Sequence, residues 1–176
     1  FNVTTGLRND DIDGIKYKSK MKEYYAKAGV KTARYHLVSS YEEGMKFIEE
    51  VGFPVVVKPD NGVGAESTYR LSTDEDLVNF MERKNPAIPY IMEEYVTAEV
   101  TTYDAIINSK GEAIWEGSNV TVSCLTDVVN DNGNSLYYLN KEIPADVKEA
   151  GLATVKSFGV KSRFVHFEFF RLLEDQ

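Results

Sequence analysis

The residues best suited to bind phosphate lie in one stretch of the sequence, FPVVVKPDNGVGAESTYRL at 53–71. Lys58 ends an apolar, β-branched run, and Gly62 and Gly64 follow it closely. Glycines let backbone amides approach a ligand, and several amides together with an ammonium group form a phosphate cradle. The order strand, lysine, glycine loop, strand therefore predicts a phosphate-binding loop. A plain hairpin with a surface lysine is the alternative, because short glycine motifs often occur without a ligand.

Three better-known phosphate-binding loops do not fit this stretch. A dinucleotide fingerprint needs a third glycine and a following helix, whereas Ser67 stands at that place and STYRL has the pattern of a strand. A P-loop ends in Gly-Lys-Ser/Thr, whereas Ala65 and Glu66 follow Gly64. A protein kinase places its lysine after the glycine loop and carries HRD and DFG motifs, which this sequence lacks. A kinase-like phosphotransferase is therefore disfavoured.

The hydrophobic pattern predicts the elements that position these residues. Capping-box patterns at Ser40-x-x-Glu43 and Ser72-x-x-Glu75 each begin a helix. PVVVK at 54–58 predicts a strand buried on both faces, because it is continuously apolar before the lysine. Further helices are expected at about 10–27 and 144–159, further strands at 67–71, 90–94, 100–108, 113–123 and 163–172, an extended piece at 30–38, and a long polar loop at 124–134. Helices and strands are interleaved before and after a β-rich stretch, so the pattern predicts an α+β or mixed α/β domain.

Composition and charge exclude several classes of protein. The chain has 176 residues, with 20 basic against 28 acidic side chains, a formal charge of −8. That balance argues against non-specific nucleic-acid binding, and the ordinary hydrophobic content argues against disorder. No apolar run is long enough to span a membrane, and the start FNVTTGLRNDD has no signal-peptide pattern. A single cysteine, Cys124, favours a reducing, cytoplasmic location.

The remaining reactive side chains give few alternatives. Two histidines and one cysteine argue against a zinc site, and no Ser/His/Asp or Cys/His set is evident, so we assign no catalytic nucleophile. In FVHFEFF at 164–170, Glu168 is expected to point inward on an aromatic strand, where a carboxylate needs a partner. A structural salt bridge with Arg163 or Arg171 is one alternative, and His166 is expected to pack nearby or support a ligand. Asp127 and Asp131 are expected in a solvated loop.

Four motifs, taken in order, resemble the ATP-grasp superfamily, particularly the carboxylate–amine ligases related to carbamoyl-phosphate synthase and biotin carboxylase. They are Lys18-x-x-Met21 on a helix ending in AGV, the Lys58 glycine loop, MEEYV at 92–96, and FVHFEFF at 164–170. The resemblance runs from about Lys16 to Arg171. It implies an α+β, ATP-grasp-like fold: two small α+β subdomains with an antiparallel sheet, which we place at 1–96 and 97–176. It also implies ATP and magnesium as cofactors, with the nucleotide between the subdomains.

The resemblance assigns a role to each matching residue. Lys18 would reach the ATP phosphates, Lys58 would contact phosphate and the adenine side, and Gly62 and Gly64 would belong to the loop that closes over the phosphates. The hinge would be Glu93, Glu94, Tyr95 and Val96, where main-chain groups of the last three would read adenine and an acidic side chain could accept from a donor. Glu168 would be the first of two acidic magnesium ligands.

The ribose-binding glutamate remains open between two alignments. Glu99 takes that place if one residue is deleted, whereas an ungapped alignment, which Asp104 supports, places Val100 there.

The strand that carries the second magnesium ligand in the family would follow FEFFRL, and this sequence ends at Gln176. We therefore expect a fragment truncated at both ends, inactive by itself, with weak or absent binding of Mg-ATP. The predicted function is the ATP-binding domain of a carboxylate–amine or carbamoyl-phosphate synthase-like ligase that acts through an acyl phosphate. Its partners would be a small carboxylate and an amine, and a homodimer is left open. The alternative is a non-catalytic nucleotide-binding or interaction domain with the same fold.

Overall fold

The computed structural model describes residues 9–61, 67–122 and 136–172. The chain divides into two compact units, each considered separately below. The first unit contains Asp10–Glu23 and Thr32–Val96, and the second contains Tyr24–Lys31 and the residues from Thr97 onward. Within the described residues, no helix is both long enough and apolar enough to cross a membrane.

The helices and strands follow the interleaved order expected from the sequence. The helices are α1 (Asn9–Lys16), α2 (Lys18–Lys27), α3 (Tyr41–Val51), α4 (Asp74–Arg83) and α5 (Ala145–Ser157). The strands are β1 (Tyr35–Val38), β2 (Val55–Pro59), β3 (Tyr69–Leu71), β4 (Tyr90–Glu94), β5 (Glu99–Ile107), β6 (Ala113–Gly117), β7 (Asn119–Thr121), β8 (Tyr137–Leu139) and β9 (Arg163–Arg171).

Each unit contains one antiparallel sheet, which confirms the predicted α+β class. The first sheet has the order β1-β4-β2-β3. In the second sheet, β5 pairs with β6, β7 and β9, and β7 pairs further with β8. The predicted strand at 113–123 is two strands that break at Ser118, and β8 has no counterpart in the sequence prediction. The predicted loop at 124–134 lies outside the described residues.

Alternation along β2 decides which residues of the first unit face its core. Val55 and Val57 are fully buried and pack with Phe47 of α3 and Leu77 of α4. Because side chains alternate along a strand, Lys58 points to the opposite face of the sheet. The expectation that 54–58 is buried on both faces is therefore wrong, since burial alternates along this strand.

The starts of three helices differ from prediction in detail. The helix expected at 10–27 is broken at Tyr17 into α1 and α2. Ser40 accepts the Glu43 N–H as expected, but the Glu43 carboxylate accepts from the backbone and hydroxyl of Ser39. The second capping box lies one residue later than predicted, because Thr73 and Asp76 cap each other's backbone amides at the start of α4.

The core of the second unit lies between α5 and one face of its sheet. Tyr103 of β5 is fully buried, and Val147 and Val155 of α5 pack beside it. Gly151 allows α5 to approach closely, because a Cβ at that position would overlap the Tyr103 ring. Along β9, Val165, Phe167 and Phe169 pack against this core, whereas the alternate residues point to the other face.

Candidate functional site

Asp60 joins the start of α2 to the end of β2 in the first unit. Its side chain is buried, and one carboxylate oxygen accepts the Ser19 N–H at 2.7 Å while the other accepts the Ser19 hydroxyl at 2.7 Å. The Lys18 N–H donates to the Asp60 carbonyl at 2.8 Å. Asp60 thus caps a helix from 41 residues away, because it satisfies amides that lack partners within the helix.

This connection places Lys18 beside the strand that carries Lys58. The Lys18 ammonium donates to the Pro59 carbonyl at 2.9 Å. Burial lowers the pKa of Lys18, and the nearby positive charge of Lys58 lowers it further, while the carboxylates of Asp60 and Glu93 act in the opposite direction. Lys18 and Lys58, both predicted to bind phosphate, are 40 positions apart in the sequence and are brought together by the fold.

Glu93 lies between two lysines on the sheet face opposite the core. Its carboxylate is 2.8 Å from the Lys22 ammonium through one oxygen and 2.5 Å from the Lys58 ammonium through the other. Burial alone would raise the pKa of Glu93, but attraction to Lys58 and Lys22 outweighs it and holds that pKa below its usual value. Glu93 is therefore held as an anion between two cations.

The described part of the chain places several charged groups close together here. Three ammonium groups, of Lys18, Lys22 and Lys58, lie near two carboxylates, of Asp60 and Glu93, and these five groups have a formal sum of one positive charge. Partly desolvated cations concentrate positive potential locally even in a protein of net charge −8. This cluster, named the lysine cluster below, is suited to an anionic ligand such as a phosphate group.

The residues predicted to read adenine occupy the end of β4 and the chain after it. The Glu94 carboxylate accepts from the backbone N–H of Arg34 at 2.7 Å and from its guanidinium at 2.6 Å. Burial would raise the pKa of Glu94, but these bonds outweigh it and lower that pKa. The Arg70 guanidinium lies 4.5 Å from the centre of the Tyr95 ring. Tyr95 and Val96 follow the last strand residue, outside the sheet.

Two predicted phosphate-loop residues, Gly62 and Gly64, lie outside the described residues. The strands that flank them are β2 and β3, which pair as an antiparallel hairpin with Val55 opposite Leu71 and Val57 opposite Tyr69. The strand with Lys58 thus precedes this segment and the second strand follows it, in the predicted order.

Glu168 lies on the exposed face of the second sheet, so its predicted burial is wrong. It belongs to the alternate residues of β9 that point away from α5, and its side chain is 51% exposed. One carboxylate oxygen is 3.7 Å from Nε2 of His166. The candidate arginine partner Arg171 instead pairs with Asp146 at 2.7 Å and with Glu99 at 3.6 Å.

His166 links Glu168 to a polar group on β5. Its Nδ1 is 2.6 Å from Asp104, and the Thr102 hydroxyl donates to the other Asp104 oxygen at 2.6 Å. Burial would lower the pKa of His166, but the carboxylates of Asp104 and Glu168 outweigh it and raise that pKa. His166 is thus a half-exposed polar residue beside the candidate metal ligand, which does not fit the packing alternative, and its support of a ligand stays a prediction.

The described residues of the second unit include few candidate metal ligands. Among the residues that the structure describes, no group of three or more His, Cys, Asp and Glu side chains is arranged to hold a metal ion. Glu168 supplies an exposed carboxylate, the type of ligand that Mg²⁺ uses together with phosphate oxygens and water.

The two candidate ribose-binding residues lie at the start of β5. Glu99 is its first residue and lies 3.6 Å from Arg171, and Val100 beside it is half-buried. Both assignments of the ribose-binding position remain predictions: Glu99 if the alignment deletes one residue, and Val100 if the alignment has no gap.

Sequence reasoning missed two residues of the lysine cluster, Lys22 and Asp60. Lys22 follows Met21 within a run of lysines and had no distinguishing pattern. Asp60 stands immediately after the β2 strand, a place where a carboxylate could have been suspected. Both act through partners far away in the sequence, at Glu93 and Ser19.

The chain is similar in sequence to known proteins. Residues 17–104 match the family model described as "Carbamoyl-phosphate synthase L chain, ATP binding domain". The carbamoyl phosphate synthase large chain of Clostridium beijerinckii is 25% identical over 176 residues, covering 94% of this chain and 16% of the relative. That of Methanothermobacter thermautotrophicus is 21% identical over 131 residues, covering 73% of this chain and 12% of the relative. The chain thus spans a small part of these relatives.

Solved structures show the same fold. A carboxyaminoimidazole ribonucleotide synthase from Aspergillus clavatus, complexed with ATP, has a TM-score of 0.71 and 16% identity, covering 92% of this chain and 42% of that one. The ATP-grasp ligase PsnB, complexed with a variant of its minimal precursor, Mg and ADP, has a TM-score of 0.66 and 18% identity, with coverages of 93% and 48%. The resemblance proposed from the motifs is confirmed. The chain belongs to the family of carbamoyl-phosphate synthase L chain ATP-binding domains and has the ATP-grasp fold.

Proposed function

We propose that this chain binds ATP through Lys18 and Lys58 of the lysine cluster and serves as the ATP-binding domain of a ligase that forms C–N bonds. The observation that carries the proposal is the convergence of Lys18 and Lys58 at the end of β2, next to the segment with the predicted glycine loop. Asp60 fixes the helix that carries Lys18, and Glu93 fixes the Lys58 ammonium. Two positioned ammonium groups suit the phosphates of a nucleotide, because phosphoryl transfer depends mainly on positioning and charge neutralisation.

The proposed reaction uses ATP to activate a carboxylate. A carboxylate oxygen attacks the terminal phosphorus of ATP, ADP leaves, and an acyl phosphate forms. An amine then attacks the acyl carbon, the carbon–oxygen bond to phosphate breaks, and the amine loses a proton as inorganic phosphate departs. Neither step needs a nucleophile from the protein. Lys18 and Lys58 would hold the phosphates and offset their charge during transfer.

Magnesium is the metal that this proposal assigns to Glu168. A carboxylate with an exposed side chain suits a hard cation that shares its coordination with phosphate oxygens and water. When bound, the metal would supply further neutralisation of phosphate charge. His166, held by Asp104, would support the orientation of the Glu168 carboxylate.

Recognition of the nucleoside is assigned to the chain around Glu94. The side chain of Glu94 is bound to Arg34, so its contribution to adenine binding would come from the main chain, as it would for Tyr95 and Val96. Gly62 and Gly64 would offer amides to the phosphates, and Glu99 would bind ribose. The small carboxylate and amine substrates belong to the proposal for the whole protein.

A thermal-shift titration with Mg-ATP tests the proposal. A ligand present at about 100 times its Kd adds about 2.7 kcal/mol of stability. For a chain of this size, that corresponds to a rise in Tm of roughly 5–11 °C. No rise in Tm up to about 10 mM ATP, a concentration that saturates even millimolar sites, would overturn the proposal.

Substitution of the phosphate-binding lysine makes the test specific. Lys58→Gln should weaken ATP binding roughly 10- to 100-fold, because charged hydrogen bonds contribute about 1.5–3 kcal/mol each. Lys46→Gln is the matched control, since Lys46 is an exposed lysine on α3 of the same unit. Equal ATP affinities of the two variants would contradict the assignment of Lys58.

A further inference from the structure

Lys22 is a buried lysine to which the proposed ATP chemistry gives no role. It lies on α2 and is only 9% exposed. Its ammonium is 2.8 Å from the Glu93 carboxylate, donates to the Ala33 carbonyl at 3.0 Å, and lies 5.0 Å from the centre of the Tyr35 ring. These three contacts match the three N–H donors of an ammonium group. Lys22 is therefore held in one geometry and directed into the protein.

Lys58 differs from Lys22 in exposure although both bind the same carboxylate. The Lys58 side chain is 26% exposed and contacts the second Glu93 oxygen. Glu93 pairs opposite Val56 in the β2–β4 ladder, so it projects from the same sheet face as Lys58. Glu93 is thus a shared anion, with one oxygen on a buried lysine and the other on an accessible lysine.

The shared anion decides how much positive charge Lys58 can offer. If Glu93 had Lys58 as its sole cation, the pair would be neutral and a phosphate would meet little net charge. With Lys22 also bound, the three groups together carry one positive charge, and the accessible part of that charge is at Lys58. Opposite charges a few ångströms apart interact strongly when they are partly removed from water, so this balance affects binding.

We propose that Lys22 is a positioning residue: it neutralises and anchors Glu93 so that the Lys58 ammonium keeps a net charge and a fixed direction for phosphate. This inference rests on the proposed function for its link to ATP, but its electrostatic part concerns the protein without ligand. Lys22 itself would not touch the nucleotide, because its donors are already occupied.

The first arm of the test measures Glu93 without any nucleotide. The pKa of the Glu93 carboxyl can be followed by ¹³C NMR of glutamate-labelled protein. In Lys22→Met, which keeps the length of the side chain and removes its charge, the Glu93 pKa should rise above its ordinary value, because burial then acts against a single ion pair. Lys22→Arg should keep it low, since a guanidinium can bind Glu93 and stack on the Tyr35 ring. A Glu93 pKa that stays low in Lys22→Met would overturn the inference.

The second arm measures ATP affinity by calorimetry on the same variants. Lys22→Met should weaken binding about tenfold, equivalent to about 1.4 kcal/mol, and Lys22→Arg should restore most of the affinity. In the double variant Lys22→Met/Glu93→Gln the uncompensated anion is removed, so affinity should return toward that of the unsubstituted protein. Lys20→Met, an exposed lysine on the same helix, is the control and should leave affinity unchanged.

The outcomes separate the two proposals. If the unsubstituted protein does not bind ATP, the proposed function fails, and the Glu93 pKa alone decides the electrostatic role of Lys22. If the unsubstituted protein binds ATP and Lys22→Met binds it equally well, the inference fails while the function stands. A double variant no tighter than Lys22→Met would also overturn the inference, because Lys22 would then act through packing and not through the charge of Glu93.

Discussion

Asp60→Ala is the substitution that examines most closely how the fold builds the lysine cluster. Asp60 is 3% exposed and lies after β2, and its carboxylate binds both the backbone and the hydroxyl of Ser19 near the start of α2. Alanine removes both acceptors and leaves the backbone of β2 intact. The helix that carries Lys18 would then lose the connection that Ser19 and Asp60 make to the end of the strand that carries Lys58.

The expected cost follows from the bonds that are lost. Removing a helix cap costs about 1 kcal/mol, and leaving a buried donor without an acceptor costs about 1–3 kcal/mol. Together these predict that Asp60→Ala lowers the free energy of unfolding by about 2–4 kcal/mol. For a domain of this size the corresponding fall in Tm is roughly 5–15 °C.

Thermal and urea unfolding, followed by circular dichroism, measure this change. Asp60→Asn is the matched control, because its amide oxygen can still accept the Ser19 N–H and should limit the loss to below about 1 kcal/mol. Ser19→Ala removes only the hydroxyl, and a double-mutant cycle with Asp60→Ala should show coupling of about 0.5–3 kcal/mol. We also expect weaker ATP binding by Asp60→Ala, since the start of the helix that carries Lys18 would be less firmly positioned once the bonds to Ser19 are lost.

Two results would refute this reasoning. A loss below about 0.5 kcal/mol for Asp60→Ala would show that the carboxylate does not cap α2. Equal losses for Asp60→Ala and Asp60→Asn would show that the acceptor oxygens are not the source of the stability.

Three further substitutions test other parts of the structure. Gly151→Ala should cost at least about 1–3 kcal/mol by calorimetry, because its Cβ would overlap the Tyr103 ring, and an unchanged Tm would contradict that packing. Tyr103→Phe should cost about 1 kcal/mol through loss of the 2.8 Å hydrogen bond to Glu116, and equal urea midpoints would refute it. Glu93 has a depressed pKa, so its stabilisation is present above its unfolded pKa near 4.5 and is lost as pH falls through the folded value. Glu93→Gln should therefore show a shallower loss of stability in acid, and parallel pH profiles would contradict this.

Most of the features that could be predicted, the order of helices and strands and the fold, follow from short-range sequence patterns. The β-branched run before Lys58, the turn residues and the helical periods predicted an interleaved α+β order, and the order of motifs predicted the ATP-grasp fold. These features depend on residues close together in sequence. The shifted capping box shows where a local pattern is ambiguous: Ser72 and Thr73 are both suitable caps, the Asp76 carboxylate accepts the backbone N–H of both, and it is the Thr73 hydroxyl that accepts the Asp76 N–H.

The features that could not be predicted depend on contacts between residues that are distant in the sequence. The bond from Ser19 to Asp60 and the ion pair from Lys22 to Glu93 join residues that are distant in sequence, and neither has a local pattern. Glu168 was expected inside because its neighbours are aromatic, yet alternation along β9 places it on the face away from α5. The face of the sheet that α5 covers depends on tertiary packing, which the sequence of the strand does not encode.

An NMR titration with Mg-ATP tests the central claim, that the lysine cluster binds the phosphates of a nucleotide. Backbone amide signals would be followed to about 10 mM ATP, with adenosine as the comparison that lacks phosphates. We predict saturable shifts at the amides of Lys18 and Lys58 with ATP and little change there with adenosine, and the loss of saturation in Lys58→Gln. Shifts that are absent at these amides, or equal for ATP and adenosine, would contradict the claim.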